Sequence, residues 1–228
     1  MIGIIGAMDV EVASLRTQME QPVSETVSGI EFVCGKLCGK DVVLARCGIG
    51  KVFAAMCAQT MILKYQPSCI INTGVAGTLT WTLSIGDIAV ASTVVQYDMD
   101  TSPLGDPVGL VSGINVIHFP ADAHLMAAAG KTLTGRGLNY CTGTIASGDR
   151  FLCDSEVKAQ LNRDFNAVAC EMEGGAIGHV CYVNQVPFLI LRAISDGADD
   201  QSNMDYPTFV KMAAQRSSEV LTDMIGHL

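Results

Sequence analysis

The sequence predicts a single α/β domain, and three observations carry that prediction. Short β-rich apolar runs alternate along the chain with stretches of helical period, the pattern of a mixed or parallel sheet wrapped by helices. The 228 residues suffice for one core of ordinary size, since α/β chains of this length do not need to split into domains. Hydrophobic residues make up 49% against 16% charged, a balance that leaves apolar surface for a second subunit to cover.

Taken in chain order, strands are expected near Ile2 to Ile5, Ile30 to Leu37, Val42 to Cys47, Cys69 to Asn72, Asp87 to Gln96, Asn139 to Ile145, Ala167 to Cys170 and Pro187 to Ala193. Each is a short run of β-branched or apolar residues bounded by turn formers. Helices are expected near Met8 to Met19, Val52 to Tyr65, Ala121 to Leu133, Asp154 to Arg163, Gly174 to Val183 and Pro207 to Ile225, where the apolar positions recur at three and four. The stretch from Asp98 to Pro120 has no clear period and is rich in Gly, Pro and Asp. Long irregular segments inside compact domains are usually functional.

Composition excludes several classes of function. A formal charge of -9, with Lys and Arg scattered singly, repels a phosphate backbone and an anionic membrane alike. The N-terminus MIGIIGAMDVE meets Asp9 and Glu11 before a signal-type apolar core can form, and the rest of the chain has no long unbroken apolar run. The nine cysteines include no C-x2-C pair, and Cys34 with Cys38 has no third ligand close by in the sequence. Buried structural thiols in a reducing cytoplasm are the expectation. His118, His124, His179 and His227 share no ligand spacing, so no metal site is expected.

The chemistry lies in the segments at the carboxyl ends of the apolar runs. Ile5 leads into Gly6-Ala7-Met8 with Glu11, Cys47 into Gly48-Ile49-Gly50-Lys51, and Asn72 into Thr73-Gly74-Val75-Ala76-Gly77. Later, Ile145 leads into Ala146-Ser147-Gly148-Asp149-Arg150-Phe151, Cys170 into Glu171-Met172-Glu173-Gly174-Gly175, and Ala193 into Ile194-Ser195-Asp196-Gly197. Ligands of open α/β sheets bind beyond the carboxyl ends of the strands, so these segments point to one shared pocket. Neither glycine segment is a dinucleotide fingerprint or a phosphate loop, because the spacing and the partner residues are missing. Glu171 and Glu173 interrupt an otherwise apolar passage, where a buried charge is costly without a partner or ligand; a helix cap at Glu173 is the plainer alternative. Asp196 in Ser-Asp-Gly could be an ordinary turn residue, and Glu11 a solvated helix residue.

Together these segments resemble the 5'-methylthioadenosine/S-adenosylhomocysteine nucleosidases of the nucleoside phosphorylase superfamily. The matching stretches are Gly-Ile-Ile-Gly-Ala-Met, Gly-Ile-Gly-Lys-Val, Ile-Asn-Thr-Gly-Val-Ala-Gly, Ser-Gly-Asp-Arg-Phe, Glu-Met-Glu and Arg-Ala-Ile-Ser-Asp-Gly-Ala-Asp, in the family's order. The resemblance implies a three-layer fold with a mixed sheet forming a partial barrel, a homodimer with shared active sites, no cofactor, and hydrolysis of adenine nucleosides in methionine salvage and methyl-cycle recycling. By the same resemblance Asp196 protonates purine N7, Ser195 orients it, Phe151 stacks on adenine and the Leu152 backbone reads its edge. Glu173 holds the ribose hydroxyls, with Met172 beneath the sugar and Glu171 near the same floor. Glu11 and Arg192 bind the attacking water, Glu11 as base. Met8, Ile49 and Tyr206 line the room for the 5'-substituent, and Ala76 with Gly77 lies along the purine.

The sequence departs from the family pattern at Val75, where many relatives carry a serine near the water, and at Thr78 in place of glycine. Thr101, Leu104 and Ser112 also differ around the 5'-group. The choice among methylthioadenosine, S-adenosylhomocysteine, 5'-deoxyadenosine and a futalosine-type substrate is therefore left open by the sequence. A nucleoside phosphorylase of the same fold is the rival class. Phosphorolysis needs cations for phosphate, yet Asn72 and Glu11 occupy the relevant positions. A silent nucleoside-binding protein would not need a base, a ribose clamp and an acid at once.

Overall fold

A computed structural model of the chain describes residues 1–197 and 202–228, with the side chains of all of these except 202–208. Among the described residues, ten strands and six helices succeed one another as β1 (Ile2–Gly6), α1 (Asp9–Gln18), β2 (Glu20–Val27), β3 (Ile30–Leu37), β4 (Lys40–Arg46), α2 (Lys51–Tyr65), β5 (Cys69–Thr78), β6 (Ile88–Gln96), β7 (Phe119–Pro120), α3 (Ala123–Gly135), β8 (Tyr140–Ser147), α4 (Ser155–Phe165), β9 (Ala167–Glu171), α5 (Gly174–Asn184), β10 (Phe188–Asp196) and α6 (Ser202–His227). The sheet runs β10-β6-β8-β9-β5-β1-β4-β3-β2, with β7 beside β6. A further pairing of β10 with β5 closes strands β5, β9, β8, β6 and β10 into a mixed five-stranded barrel. Strands β1 to β4 extend that barrel as an open wing.

Period-two alternation along the central strands builds the three layers. Ile5, Ile70 and Ile190 face the core under α2 and α5, where Ala54, Cys57, Ala58, Met61, Ala176, Ile177 and Cys181 are buried. Their chain neighbours Ile4, Ile71 and Leu189 face the opposite core under α1, α3 and α6, with Val12, Leu15, Leu125, Leu133 and Leu221. A strand covered on both faces reads as a continuous apolar run, as these do. Each fully buried Leu or Ile contributes ~1.5–3 kcal/mol relative to exposure. A smaller cluster seats α4 through Leu161 and Phe165 against Val95, Ala146 and Leu152.

The expected elements are all present, and three differences matter. Strand β2 has no counterpart among the expected strands, because Glu-Gln-Pro-Val-Ser-Glu-Thr-Val has no apolar alternation and is exposed along its length. It is an edge strand paired only with β3, with a register shift between Glu20 and Val23 around Pro22, where a missing N–H is tolerated. The irregular stretch from Asp98 to Pro120 contains a 3-10 turn at Ser102–Leu104, a bridge between Val111 and Val116, and β7. Strands β5, β8 and β10 run on past their expected ends into the glycine- and hydroxyl-bearing segments. Barrel closure is the cause: Gly77 pairs with Cys170 and with Asp196, and Ser147 with Glu171.

Candidate active site

The ends of β1, β5, β9 and β10 surround a cavity of about 410 Å³ lined by Ala7, Met8, Glu11, Ile49, Val75, Ala76, Gly77, Phe151, Cys170, Glu171, Met172, Glu173, Ser195 and Asp196. Most of the residues expected at the site are thus brought together. Leu152 lies in a small adjoining cavity of about 30 Å³ with Gly77, Phe151, Met172 and Asp196. Tyr206 falls outside the residues whose side chains are described. Ala7 and Cys170 also line the cavity, although the sequence assigns neither a role.

Glu11 is buried at the start of α1. Its Oε2 accepts from Ala7 N at 2.7 Å and Met8 N at 2.9 Å, and its Oε1 accepts from Val75 N at 3.0 Å. Backbone donors from β5 and from the β1–α1 turn therefore fix this carboxylate at the cavity wall. Val75 contributes through its N–H, which its side chain does not affect.

Glu171 and Glu173 play unlike parts. Glu171 Oε2 accepts from Glu173 N at 3.0 Å and Gly174 N at 2.7 Å, capping the amino end of α5, while Oε1 takes a hydrogen bond from Ser147 Oγ. A carboxylate there meets unpaired helix N–H groups and the positive end of the helix dipole. The capping role that the sequence left open for Glu173 belongs to Glu171, and Glu173 has no side-chain cap bond. Glu173 instead turns to the cavity, its Oε1 accepting from Gly50 N at 2.9 Å. Gly50 has φ 99° and an added Cβ would lie 3.0 Å from Asp149 Oδ1, so glycine alone suits the turn that delivers this N–H.

Arg192 is fully buried and is not one of the residues that line the cavity. Its Nη2 donates to Asn72 Oδ1 at 2.6 Å, to Glu171 Oε2, and to Glu173 Oε2 at 3.4 Å, while Nη1 lies 3.9 Å from Glu11 Oε1. The guanidinium ties the carboxylates together through Nη2, while Nη1, beside Glu11, has no hydrogen-bond partner among the described residues. Three carboxylates surround one cation. Burial first, then the charge of Glu171, pushes Glu173 up to about 7, against the pull of Arg192 and the Gly50 N–H.

Asp196 ends β10 across the cavity, 4% exposed. Ser195 Oγ donates to its Oδ1 at 3.0 Å. Gly77 approaches so closely that an added Cβ would lie 2.5 Å from Asp196 Oδ2. Burial raises the Asp196 carboxyl above its ordinary range, opposed by the charge of Lys158 and by the hydrogen bonds from Ser195 and Lys158. Lys158 is a polar neighbour of Asp196 to which the sequence assigns no role. It is 1% exposed on α4, with its Nζ 3.2 Å from Asp196 Oδ2 and donating to Gly197 O at 2.6 Å. The signal was its spacing: Lys158 precedes Leu161 by three and Phe165 by seven, on the stripe that faces the core.

Among the described residues no group of His, Cys, Asp and Glu has the geometry to hold a metal ion, and no helix is long and apolar enough to cross a membrane. The chain matches the Phosphorylase superfamily over residues 1–226. It is 40% identical over 229 residues to the 5'-methylthioadenosine/S-adenosylhomocysteine nucleosidase of Aeromonas salmonicida, covering 100% of this chain and 99% of that protein. The nucleosidase of the same name from Shewanella pealeana is 42% identical with the same coverage. Among solved structures, the Neisseria meningitidis nucleosidase of this name in complex with methylthio-immucillin-A superposes with a TM-score of 0.95 at 35% identity, covering 100% of this chain and 99% of that one. The native futalosine hydrolase of Helicobacter pylori strain 26695 also superposes at 0.95, with 34% identity and coverage of 100% and 97%. Sequence, barrel and site agree in placing the chain in the Phosphorylase superfamily and, within it, in the family of 5'-methylthioadenosine/S-adenosylhomocysteine nucleosidases, hydrolases that act on N-glycosyl bonds.

Proposed function

We propose that this chain hydrolyses the N-glycosidic bond of 5'-methylthioadenosine, S-adenosylhomocysteine and 5'-deoxyadenosine, releasing adenine and the free sugar. The observation that carries this reading is the convergence of Glu11, Glu173 and Asp196 on one cavity. As the C1'–N9 bond stretches, its electron pair moves into the purine and the sugar becomes an oxocarbenium-like cation. Asp196 gives its proton to N7, so that adenine leaves neutral. Glu173 holds the ribose hydroxyls and, with Glu11 and Glu171, sets a negative field around the developing cation. Water bonds to C1' and gives its proton to Glu11. Arg192 fixes the carboxylates through Nη2 and, through the Nη1 that faces Glu11, holds the attacking water with it.

The apolar wall formed by Met8 and Ile49 suits a thioether at the 5'-position, and Phe151 offers a ring face for the purine. Futalosine is a second candidate substrate, favoured by the likeness to the Helicobacter pylori hydrolase. Water is the nucleophile because the positions where a phosphorylase needs cations carry Glu11 and Asn72, the latter buried with its Nδ2 donating to Ile5 O at 2.8 Å. The reaction belongs to methionine salvage and methyl-cycle recycling, and a chain whose nine cysteines include no C-x2-C pair suits a reducing cytoplasm.

The test is a pair of near-isosteric variants assayed with these nucleosides. Asp196→Asn cannot supply the proton and is expected to lose roughly 10²- to 10⁴-fold in kcat, and Glu11→Gln roughly 10²-fold or more. Both should still bind a non-hydrolysable analogue. Parent-like turnover in either variant removes that residue from the mechanism, and a loss confined to binding makes Asp196 a purine reader instead of an acid.

A further inference from the structure

A lysine ammonium buried at 1% exposure is costly unless its charge is answered. Lys158 reaches from α4 to Asp196 Oδ2 and to the carbonyl of Gly197, the peptide at which β10 ends. It therefore grips the carboxyl at the oxygen that Ser195 does not hold, since Ser195 Oγ donates to Oδ1. We propose that Lys158 is the positioning residue of the proton donor: it fixes the Asp196 carboxyl from behind and balances the negative charge that appears there when the proton passes to the purine. The claim rests on the assignment of Asp196 as that donor.

The balance of the step shows where the cation matters. The Asp196 O–H bond breaks, its proton bonds to N7, and the electron pair of C1'–N9 goes to the purine. The carboxylate left behind is buried, and the Lys158 ammonium is its counter-charge. An interaction stronger after proton transfer than before it accelerates the step. The cation also makes Asp196 a stronger acid, so Asp196 gives up its proton at a lower pH than burial alone would set. Activity that needs the protonated acid is lost as pH rises through that point.

Among the described residues, the other groups around Asp196 leave this assignment to Lys158. Cys170 on β9 is a buried thiol pushed up to about 12 by burial and so stays neutral. Glu171 is committed to Arg192 and to the α5 cap. Arg150 lines the adjoining small cavity but is exposed, so solvent screens its charge. Gly77 of β5 and Ser195 carry no charge.

The experiment is the pH dependence of kcat with 5'-methylthioadenosine for the parent and for Lys158→Gln, which keeps a hydrogen-bond donor and removes the charge. The alkaline limb should move up by about one pH unit or more, and the plateau kcat should fall roughly tenfold or more, with KM little changed. A uniform loss with the limb unmoved, or a change confined to KM, would overturn the proposal. A measurement on the unaltered protein covers the case in which the variant does not fold. The ¹⁵Nζ resonance of Lys158, identified by its displacement in Asp196→Asn, should step at the pH of the parent's alkaline limb, and its absence there is equally fatal. If Asp196→Asn turns over like the parent, it is the acid assignment that fails; if that variant is inactive while limb and resonance stay still, only the role of Lys158 fails.

Discussion

Two glutamates separated by one methionine show how closely charge is divided at the residue scale. Glu171 is consumed by α5 and Arg192, whereas Glu173 is left facing the cavity with one backbone donor and a longer, 3.4 Å contact to the guanidinium. Burial and its neighbour's charge raise Glu173 from 4.5 to about 7. The folded protein thus holds a proton that the unfolded chain releases between those values, so stability falls as pH rises from about 4.5 to about 7. Glu173→Gln removes the charge and keeps an acceptor for Gly50 N. It should be more stable than the parent by about 1–3 kcal/mol at pH 8, with little gain below pH 4.5, and should lose nucleoside turnover. Denaturant melts at the two pH values check this, and an advantage that does not grow with pH would contradict it. The sequence makes both acids conspicuous, since charge inside Ala-Val-Ala-Cys-Glu-Met-Glu-Gly-Gly is costly. It cannot say which acid caps the helix, because that depends on the direction of two side chains on a bend. Lys158 is overlooked for the opposite reason: a lysine on an amphipathic helix reads as solvated, even though its spacing from Leu161 and Phe165 puts it on the stripe that α4 packs against the barrel.

At the scale of elements, the site is built on strands where the sequence suggests loops. Thr73 to Thr78 and Ile194 to Asp196 are strand residues because β5 pairs with both β9 and β10, a closure between segments distant in the chain that local propensity cannot reveal. Strand β2 is illegible for a related reason, as an exposed edge needs no apolar alternation. The long central strands, by contrast, are plain from their apolar runs, and the helices from their period. Barrel closure also dictates Gly77, where a Cβ would meet Asp196 Oδ2 at 2.5 Å. Gly77→Ala should leave the fold intact by circular dichroism while displacing Asp196, with kcat falling roughly 10²-fold, the scale of a misplaced catalytic group. Parent-like kcat in that variant would show that Asp196 is not held tightly against β5.

For the whole molecule, the apolar surplus in the composition reappears as a stripe on one helix. Val52, Phe53, Met56 and Leu63 are exposed on α2, at 70%, 52%, 41% and 70%, and Ile49 just before it is both exposed and part of the cavity wall. Spacings of three and four put Val52, Phe53 and Met56 on one face, and large exposed apolar patches mark interaction surfaces. A homodimer joined there would seal the 5'-end of the cavity. Sedimentation should give about twice the 24.1 kDa chain mass, and Phe53→Asp should yield a monomer with reduced turnover; a fully active parent monomer would refute the shared site. The net negative charge gathered around the cavity bears on the nucleophile as well, since it favours a sugar cation and repels phosphate. The most direct test of the central claim is therefore product analysis with 5'-methylthioadenosine in the presence and absence of inorganic phosphate. Adenine and free 5-methylthioribose, formed at a rate indifferent to phosphate, are the predicted result. A sugar 1-phosphate, with turnover rising in proportion to added phosphate, would contradict it.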